Sequence, residues 1–211
     1  MCFKLGIMTI LVNANEQQMQ FFLQKTISGT IQIVQYNGVD IFTADAYFDC
    51  LYEENGAAFI TVTNAPVFVN AVIATTQNMP KNFIRFNGWP YFLERHVWEL
   101  TNIHSDIQKT AEVLLQQMSI KPIWCADIPG FIAARSIAAI INEAYFALGE
   151  SVSTMEDINT AMRLGTNYPL GPFEWVNIIG QKRIVQLMYA MQQQNQQYQI
   201  APLLLTSSAN K

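Results

Sequence analysis

Along the first 126 residues, short apolar runs typical of buried strands alternate with amphipathic stretches typical of helices. The apolar runs predict strands at 7–12, 31–35, 59–63, 82–86, 95–101 and 121–126. The amphipathic stretches predict helices at 15–26 and 44–54, and a later helix capped by Ser105. Because strands and helices alternate, we expect a parallel α/β sheet in a domain spanning 1–126.

The region 127–211 has a helical pattern throughout once a Pro-Gly pair has passed. Helices are predicted at 131–148, 153–165, 172–179 and 181–194. A capping box from Ser153 to Glu156 opens the second helix, and Gly171 precedes Pro172 at the start of the third. Helices this apolar cannot all be covered in one small layer, so packing on a second subunit is expected.

Composition narrows what the 211-residue chain can do. Hydrophobic residues make up 51% and charged residues 13%, so the chain can bury a substantial core and further surface in an oligomer. The net charge of −4 argues against nucleic-acid binding. The three cysteines are widely spaced, which indicates neither a metal site nor a disulfide framework. Their spacing favours a reducing, cytoplasmic compartment.

Two apolar stretches raise the question of a membrane segment. The stretch 1–12 has one lysine and a short apolar run, as a signal peptide does, but a first buried strand explains it better. The stretch 59–76 contains Asn64, Pro66 and Asn70, which are costly in lipid. We therefore expect no transmembrane helix and no membrane partner.

Two motifs in the second half of the chain point to a family. They are Asp127-Ile-Pro-Gly-Phe-Ile-Ala-Ala-Arg135 and Asn167-Tyr-Pro-Leu-Gly-Pro-Phe-Glu-Trp175. They resemble Asp-x-Pro-Gly-Phe-Ile-x-Asn-Arg and Tyr-Pro-Met-Gly-Pro-Phe-Glu-Leu, two segments of the 3-hydroxyacyl-CoA dehydrogenases. Residues 157–165 and 198–204 are also similar to that family, and the resemblance is strong over 127–205.

This resemblance implies a fold and an activity. The fold is a Rossmann-like NAD-binding domain followed by an all-helical dimerisation domain over 127–211, similar to the C-terminal domain of 6-phosphogluconate dehydrogenase. The activity is NAD-dependent oxidation of 3-hydroxyacyl-CoA in fatty-acid metabolism, in a homodimer formed through the C-terminal helices. In that family a His held by a Glu accepts the hydroxyl proton, and an Asn contacts the substrate carbonyl.

The glycine loop that would hold NAD is absent after the first predicted strand. A dinucleotide fold needs glycines there so that the backbone approaches the pyrophosphate at a helix N-terminus. The glycine positions fall on Asn13, Asn15 and Gln18, and Glu16 adds negative charge. The second strand closes on Gln-Tyr-Asn at 35–37, without the acidic residue that binds a ribose. The sequence therefore predicts that NAD is not bound in the usual way.

The catalytic positions implied by the resemblance have changed as well. The family His falls on Asn87, an amide that cannot take a proton near neutral pH, so Asn87 is predicted to be inactive. The matching Glu99 is kept but is expected to have nothing to orient. The family Asn falls on Ala134, which removes a polar contact to substrate. A substrate-contacting Ser of the family falls near Pro66, and the Asn beside it is matched by Asn64.

Two charged residues inside the matched motifs, Arg135 and Glu174, are further candidates. Together with Asn64 they could line a substrate cleft. A structural role for Arg135 and Glu174, as a buried or hinge ion pair, is favoured over ligand binding.

Three functions remain open on these residues. The chain is either a homodimeric binding or scaffold protein without redox activity, with an acyl-CoA-like small molecule as ligand, or an active NAD-dependent 3-hydroxyacyl-CoA dehydrogenase. A third alternative is a subunit that becomes active only beside a full-length partner.

Overall fold

The computed structural model describes residues 7–24 and 31–206 of the chain. The chain divides into two compact units, which are Met1–Ile128 and Pro129–Lys211. The division falls at the predicted Pro-Gly break, where Gly130 has a φ of +88°, a conformation that favours glycine. The end of the first predicted helix and the start of the stretch compared with a signal peptide lie outside the described residues.

A seven-stranded sheet forms the centre of the first unit. Its strands are β1 (Met8–Asn13), β2 (Ile31–Gln35), β3 (Ala46–Asp49), β4 (Val67–Asn70), β5 (Phe83–Phe86), β6 (Val97–Thr101) and β7 (Lys121–Trp124). The order across the sheet is β2-β1-β3-β4-β5-β6-β7. Neighbours from β2 to β5 are parallel, β6 is antiparallel to β5, and β7 is parallel to β6. The predicted α/β sheet is thus confirmed, but its last two strands run opposite to the others.

The sheet is covered on both faces. The helices described in this unit are α1 (Glu16–Gln24), α2 (Tyr52–Asn55) and α3 (Ser105–Gln117). One face packs against α1 and α3 and stacks Phe48 on Phe68, with ring centroids 4.4 Å apart. The other face packs against Phe59 and its neighbours in the loop 57–65. Because both faces are covered, β3 and β4 are buried at every position.

Three details of the predicted elements are wrong. Residues 44–54, predicted as a helix, contain β3 and the single helical turn α2. Residues 59–63, predicted as a strand, begin in a turn that buries Phe59, and β4 follows later. The first error arises because a short, fully buried strand lacks the alternation that marks a half-buried one. The second arises because the apolar run 59–63 packs Phe59 and Val62 onto the sheet from a loop. The N-cap position of α3 is held by His104, and Ser105 is already the first helical residue.

The second unit is helical over its described residues, as the periodicity predicts. Its helices are α4 (Ala133–Gly149), α5 (Met155–Thr166), α6 (Pro172–Ile179), α7 (Gln181–Gln194) and α8 (Pro202–Thr206). The long α4 packs against α6, α7 and α8. The N-cap of α5 is Thr154, whose hydroxyl accepts a hydrogen bond from the Asp157 amide at 3.2 Å, so the predicted box from Ser153 to Glu156 is displaced by one residue. Within the described chain, no helix combines the length and apolarity needed to cross a membrane.

Candidate functional site

Polar side chains line one edge of the parallel part of the sheet. Since β1, β3, β4 and β5 are parallel, their carboxyl ends meet at this edge. Asn13, Asp49 and Asn70 end their strands, and Asn87 directly follows β5. The last three are buried. Ligands of open α/β sheets bind at the carboxyl ends of the strands, so this edge is the candidate site.

Side chains close the turn between β1 and α1, where the family has glycines. Asn15 Oδ1 accepts a hydrogen bond from the Gln18 amide at 2.9 Å, and Gln18 Oε1 accepts one from the Asn15 amide at 3.0 Å. This reciprocal pair is a capping box, which satisfies amides that a helix N-terminus otherwise leaves free. Asn13 Nδ2 donates to Asp49 Oδ1 at 2.7 Å. All three positions that are glycine in the family therefore carry side chains that are engaged in hydrogen bonds within the first unit.

A pyrophosphate such as that of NAD needs free amides and close backbone approach at a helix N-terminus. In this turn the Asn15 and Gln18 side chains take that place, and the exposed Glu16 adds a negative charge in the first turn. Gln35 stands at the end of β2, where a ribose-binding carboxylate is expected, and its Nε2 donates to the Ala14 carbonyl at 3.4 Å. The residues present therefore do not fit NAD in the place where the family implies it.

Asp49 is a fully buried carboxyl group held by the protein itself. Besides the bond from Asn13, its Oδ2 accepts a hydrogen bond from the Ala58 amide at 2.8 Å. Burial raises the pKa of Asp49, and the hydrogen bonds from Ala58 and Asn13 oppose that rise. The contacts tie β1, β3 and the loop after α2 together, which is a structural role.

Asn87 and Glu99 lie side by side on the antiparallel pair β5 and β6. The side-chain Nδ2 of Asn87 donates a hydrogen bond to Glu99 Oε2 at 2.9 Å. The backbone amide of Asn87 donates a second one to the backbone carbonyl of Glu99 at 3.1 Å. The expectation that Glu99 has nothing to orient is therefore wrong, because it orients Asn87. Asn87 Oδ1 is buried and has no hydrogen-bond partner in the described chain. Leaving such an acceptor unsatisfied costs roughly 1–3 kcal/mol.

Asn70 is a residue of this edge that the sequence motifs do not reveal. Its Oδ1 accepts a hydrogen bond from the Gly88 amide at 3.0 Å, and its Nδ2 donates to the Cys50 carbonyl at 3.1 Å. A Cβ on Gly88 would lie 2.9 Å from Asn70 Cγ, so glycine permits this approach. Asn64, predicted for the substrate cleft, is exposed and precedes β4, at the amino end of the strand. The structure therefore does not place Asn64 beside Asn70 or Asn87.

A second polar cluster centres on Arg85, whose side chain is fully buried. Its Nη1 pairs with Asp127 Oδ1 at 2.5 Å, and its Nε donates to the Ala71 carbonyl at 3.0 Å. Asp127 also accepts hydrogen bonds from the amide and the hydroxyl of Thr76, at 3.0 and 2.6 Å. Desolvation lowers the pKa of Arg85, and the contact with Asp127 opposes that change. The first residue of the Asp127–Arg135 motif is thus anchored to β5.

In the second unit, Arg135 and Glu174 serve separate contacts. The Arg135 guanidinium lies over the Tyr198 ring, 5.2 Å from its centroid, and Nη1 donates to the Pro129 carbonyl at 3.1 Å. Glu174 pairs with Arg163 at 2.8 Å. The idea of an ion pair between Arg135 and Glu174 is corrected accordingly: each residue fixes a different junction of the helical unit.

The remaining candidates add little chemistry. Ala134 is fully buried in the first turn of α4 and its methyl group offers no hydrogen bond. No group of three or more His, Cys, Asp or Glu among the described residues could hold a metal ion. Cys50 and Cys125 are free thiols. Burial raises the pKa of both thiols, to about 11 for Cys125, so neither is a ready nucleophile near neutral pH.

Comparison with known proteins places these residues in a family context. Residues 130–211 match the family model described as 3-hydroxyacyl-CoA dehydrogenase, C-terminal domain. The 3-hydroxyadipyl-CoA dehydrogenase of Escherichia coli is 46% identical over 78 residues, which cover 37% of this chain and 16% of that protein. The mitochondrial hydroxyacyl-coenzyme A dehydrogenase of Mus musculus is 30% identical over 162 residues, which cover 72% of this chain and 50% of that protein. The chain thus spans at most half the length of these curated relatives.

Solved structures agree on the fold. The (S)-3-hydroxybutyryl-CoA dehydrogenase of Ralstonia eutropha superposes with a TM-score of 0.74 at 19% identity, over 97% of this chain and 94% of that one. The 3-hydroxybutyryl-CoA dehydrogenase of Escherichia coli gives a TM-score of 0.64 at 16% identity, over 93% of this chain and 50% of that one. Fold and sheet edge together define a Rossmann-like protein with a helical C-terminal domain. The chain belongs to the 3-hydroxyacyl-CoA dehydrogenase family.

Proposed function

We propose that this protein lacks the NAD-dependent redox activity of its family and acts as a homodimeric binding or scaffold protein for an acyl-CoA-like small molecule. The observation that carries the proposal is the reciprocal bonding of Asn15 and Gln18 across the N-terminus of α1. That box engages the backbone amides of Asn15 and Gln18, two of the donors that a helix N-terminus offers to a pyrophosphate. Without NAD at this edge, a hydride has no acceptor in the usual place.

The residues at the family's catalytic positions support the same conclusion. Oxidation of a hydroxyl needs a group that takes its proton, and the amide of Asn87 cannot do so near neutral pH. The Glu99 carboxylate accepts a hydrogen bond from Asn87 Nδ2. Ala134 supplies a methyl group where the family has an amide. A ligand can still be held at such an edge, but proton transfer by the family's route is absent.

An active dehydrogenase is the alternative that one observation favours. Asn87 and Glu99 keep the side-by-side contact of the family's His and Glu, and the curated relatives carry dehydrogenase names. Under this alternative the catalytic groups would have to come from residues other than those that the family uses. A subunit that becomes active only beside a full-length partner remains a variant of the same alternative.

Turnover separates the two functions. We expect the NADH absorbance at saturating acetoacetyl-CoA to fall no faster than in a control without enzyme. The variant carrying Asn87→His and Ala134→Asn is also expected to be inactive, because the capping box of α1 remains. Thermal-shift titrations run in parallel with CoA and with NADH, and stabilisation by CoA alone fits the binding function. Turnover by the wild type would contradict the proposal. Turnover by the double variant would contradict the claim that the capping box of α1 prevents NAD binding.

We further propose that the homodimer forms through the C-terminal helices. No residue of α5 is buried within the described chain, and two of its apolar side chains, Met155 and Leu164, are 46% and 83% exposed. Val152, just before this helix, is 69% exposed. A second copy that covers these side chains would remove apolar surface from water.

Sedimentation velocity of the full chain tests this arrangement. The wild type is expected to sediment as a dimer at micromolar concentration, and Leu164→Glu as a monomer, because the substitution would bury a charge in the interface. Val39→Glu is the matched control: Val39 is 79% exposed but lies in the first unit, so the dimer should persist. A monomeric wild type, or a Leu164→Glu variant that stays dimeric, contradicts the proposed interface.

We also propose a reducing compartment such as the cytoplasm as the location, since Cys50 and Cys125 are free thiols.

A further inference from the structure

A cavity of about 320 Å³ lies in the second unit, where α4, α7 and the segment after α7 line it. Ligand pockets in proteins range from roughly 300 to 1,000 Å³, so this one suits a small molecule. Met188 of α7, which is buried, contributes to its lining, as do the half-buried Ala139 and Phe146 of α4. These three side chains give the cavity an apolar part that can hold a short alkyl chain.

Hydrogen bonds fix the wall that the segment after α7 forms. Gln192 Nε2 donates to the Tyr198 carbonyl at 2.7 Å. The buried Asn142 donates from Nδ2 to the Gln199 carbonyl at 2.8 Å, and its Oδ1 accepts from the Ala201 amide at 2.9 Å. Because these bonds already order the wall, a ligand does not have to bear that cost when it binds.

Glu143 carries the one formal charge among the described residues that line the cavity. Its side chain is exposed and forms no ion pair or side-chain hydrogen bond within the described part of the chain. Phe146 follows three residues later in α4, so the two side chains are neighbours on one helix face. A cation placed between them would be attracted by the carboxylate and by the face of the aromatic ring.

Arg135 decides at which end of the cavity a cation fits. Its guanidinium lies over the Tyr198 ring, 5.2 Å from the ring centroid, and Tyr198 also lines the cavity. A second cation beside that ring would be repelled. Glu143 lies two helical turns further along α4, about 12 Å along the helix axis, where this repulsion is largely screened.

We propose that this cavity binds a primary alkylammonium ion, with its alkyl chain against Ala139, Phe146 and Met188 and its ammonium group at Glu143. An ammonium group has three N–H donors and no acceptor, which matches a carboxylate that the described chain leaves unpaired. An anionic ligand would be repelled by Glu143. All of these residues belong to the second unit, so the inference is independent of the acyl-CoA-like ligand proposed above.

NMR titration of the full chain, labelled at its methionine methyl groups, tests the site because Met188 lines the cavity. The probes are butylammonium, butan-1-ol and butyrate, which have the same alkyl chain length, at one ionic strength. An exposed ion pair is worth up to about fivefold in affinity, so butylammonium should half-saturate the Met188 shift at about one fifth of the butan-1-ol concentration. Met155 of α5, outside the cavity, is the internal control and should not shift.

Three results of this titration would overturn the inference. They are the absence of a saturable Met188 shift with butylammonium, equal half-saturation by butylammonium and butan-1-ol, and tighter binding of butyrate than of either.

Two variants separate the charge from the cavity. Glu143→Gln keeps the shape of the side chain, so butylammonium should lose its fivefold advantage while the half-saturation concentration of butan-1-ol stays unchanged. Glu156→Gln, which removes an exposed carboxylate of α5, is the matched control and should keep the advantage. Ala139→Leu fills part of the cavity and should abolish the saturable shift with both compounds. An advantage that survives in Glu143→Gln, or binding that survives in Ala139→Leu, would contradict the assignment.

Discussion

Replacement of Arg85 by Met is expected to destabilise the first unit by about 3 kcal/mol, as removal of one partner from a buried ion pair does. The Arg85 side chain is fully buried, and that of Asp127 is 23% exposed. The substitution would leave the Asp127 carboxylate without its cation and the Ala71 carbonyl without its donor. Urea unfolding followed by tryptophan fluorescence and circular dichroism measures the loss.

Lys81→Met is the matched control for this experiment. Lys81 pairs with Asp106 at 3.3 Å, but their side chains are 59% and 65% exposed. An exposed pair of this kind contributes about 0–1 kcal/mol, so little change is expected. Adding Asp127→Asn to Arg85→Met should recover part of the stability, because the uncompensated charge is removed. An Arg85→Met variant as stable as the wild type would show that the ion pair does not anchor Asp127.

Gly171→Ala is expected to destabilise the second unit by about 2 kcal/mol, the cost of overpacking a tight contact. A Cβ at this position would lie 2.5 Å from Cβ and Cγ of Asn159. Asn159 Oδ1 accepts a hydrogen bond from the Phe173 amide at 3.0 Å, which a displaced Asn159 would lose. The backbone is not the cause, because the φ of −73° and ψ of 162° at Gly171 suit any residue. Thermal unfolding of the full chain gives the measurement.

Gly165→Ala offers a control in the same unit. Gly165 lies in α5, and a Cβ there would meet nothing within 4 Å. Alanine is favoured over glycine in a helix by up to about 1 kcal/mol, so this variant should be slightly more stable than the wild type. If Gly171→Ala were as well tolerated as Gly165→Ala, the tight junction between α5 and α6 would not be a determinant of stability.

Helices with clear end signals could be predicted from the sequence, and so could the buried strand β5, but the fully buried strands β3 and β4 were missed. The helix α6 has end signals at Gly171 and Pro172 and at Gly180, and the structure places its two ends there. β3 is buried at all four of its positions, so it has neither the alternation of a strand nor the length of a helix. The reversal of β6 depends on its pairing with β5, which no local pattern encodes.

The candidate site was predicted where a motif marked it and missed where only the fold brings residues together. The twelve-residue spacing of Asn87 and Glu99 came from the family resemblance, and the structure brings both side chains together. Asn70 could have been found from its place at the end of an apolar run, since a polar residue there faces the ligand edge of a parallel sheet. The three-residue spacing of Asn15 and Gln18 marks a capping box as well as two missing glycines. The capping box stabilises the start of α1.

Direct titration of the full chain with NADH, followed by its fluorescence, tests the central claim that this fold has lost its dinucleotide site. Because the Asn15 and Gln18 side chains cap α1, the account predicts no saturable binding up to about 1 mM NADH, where even a weak site of about −4 kcal/mol would be half filled. Saturable binding at micromolar NADH would contradict it.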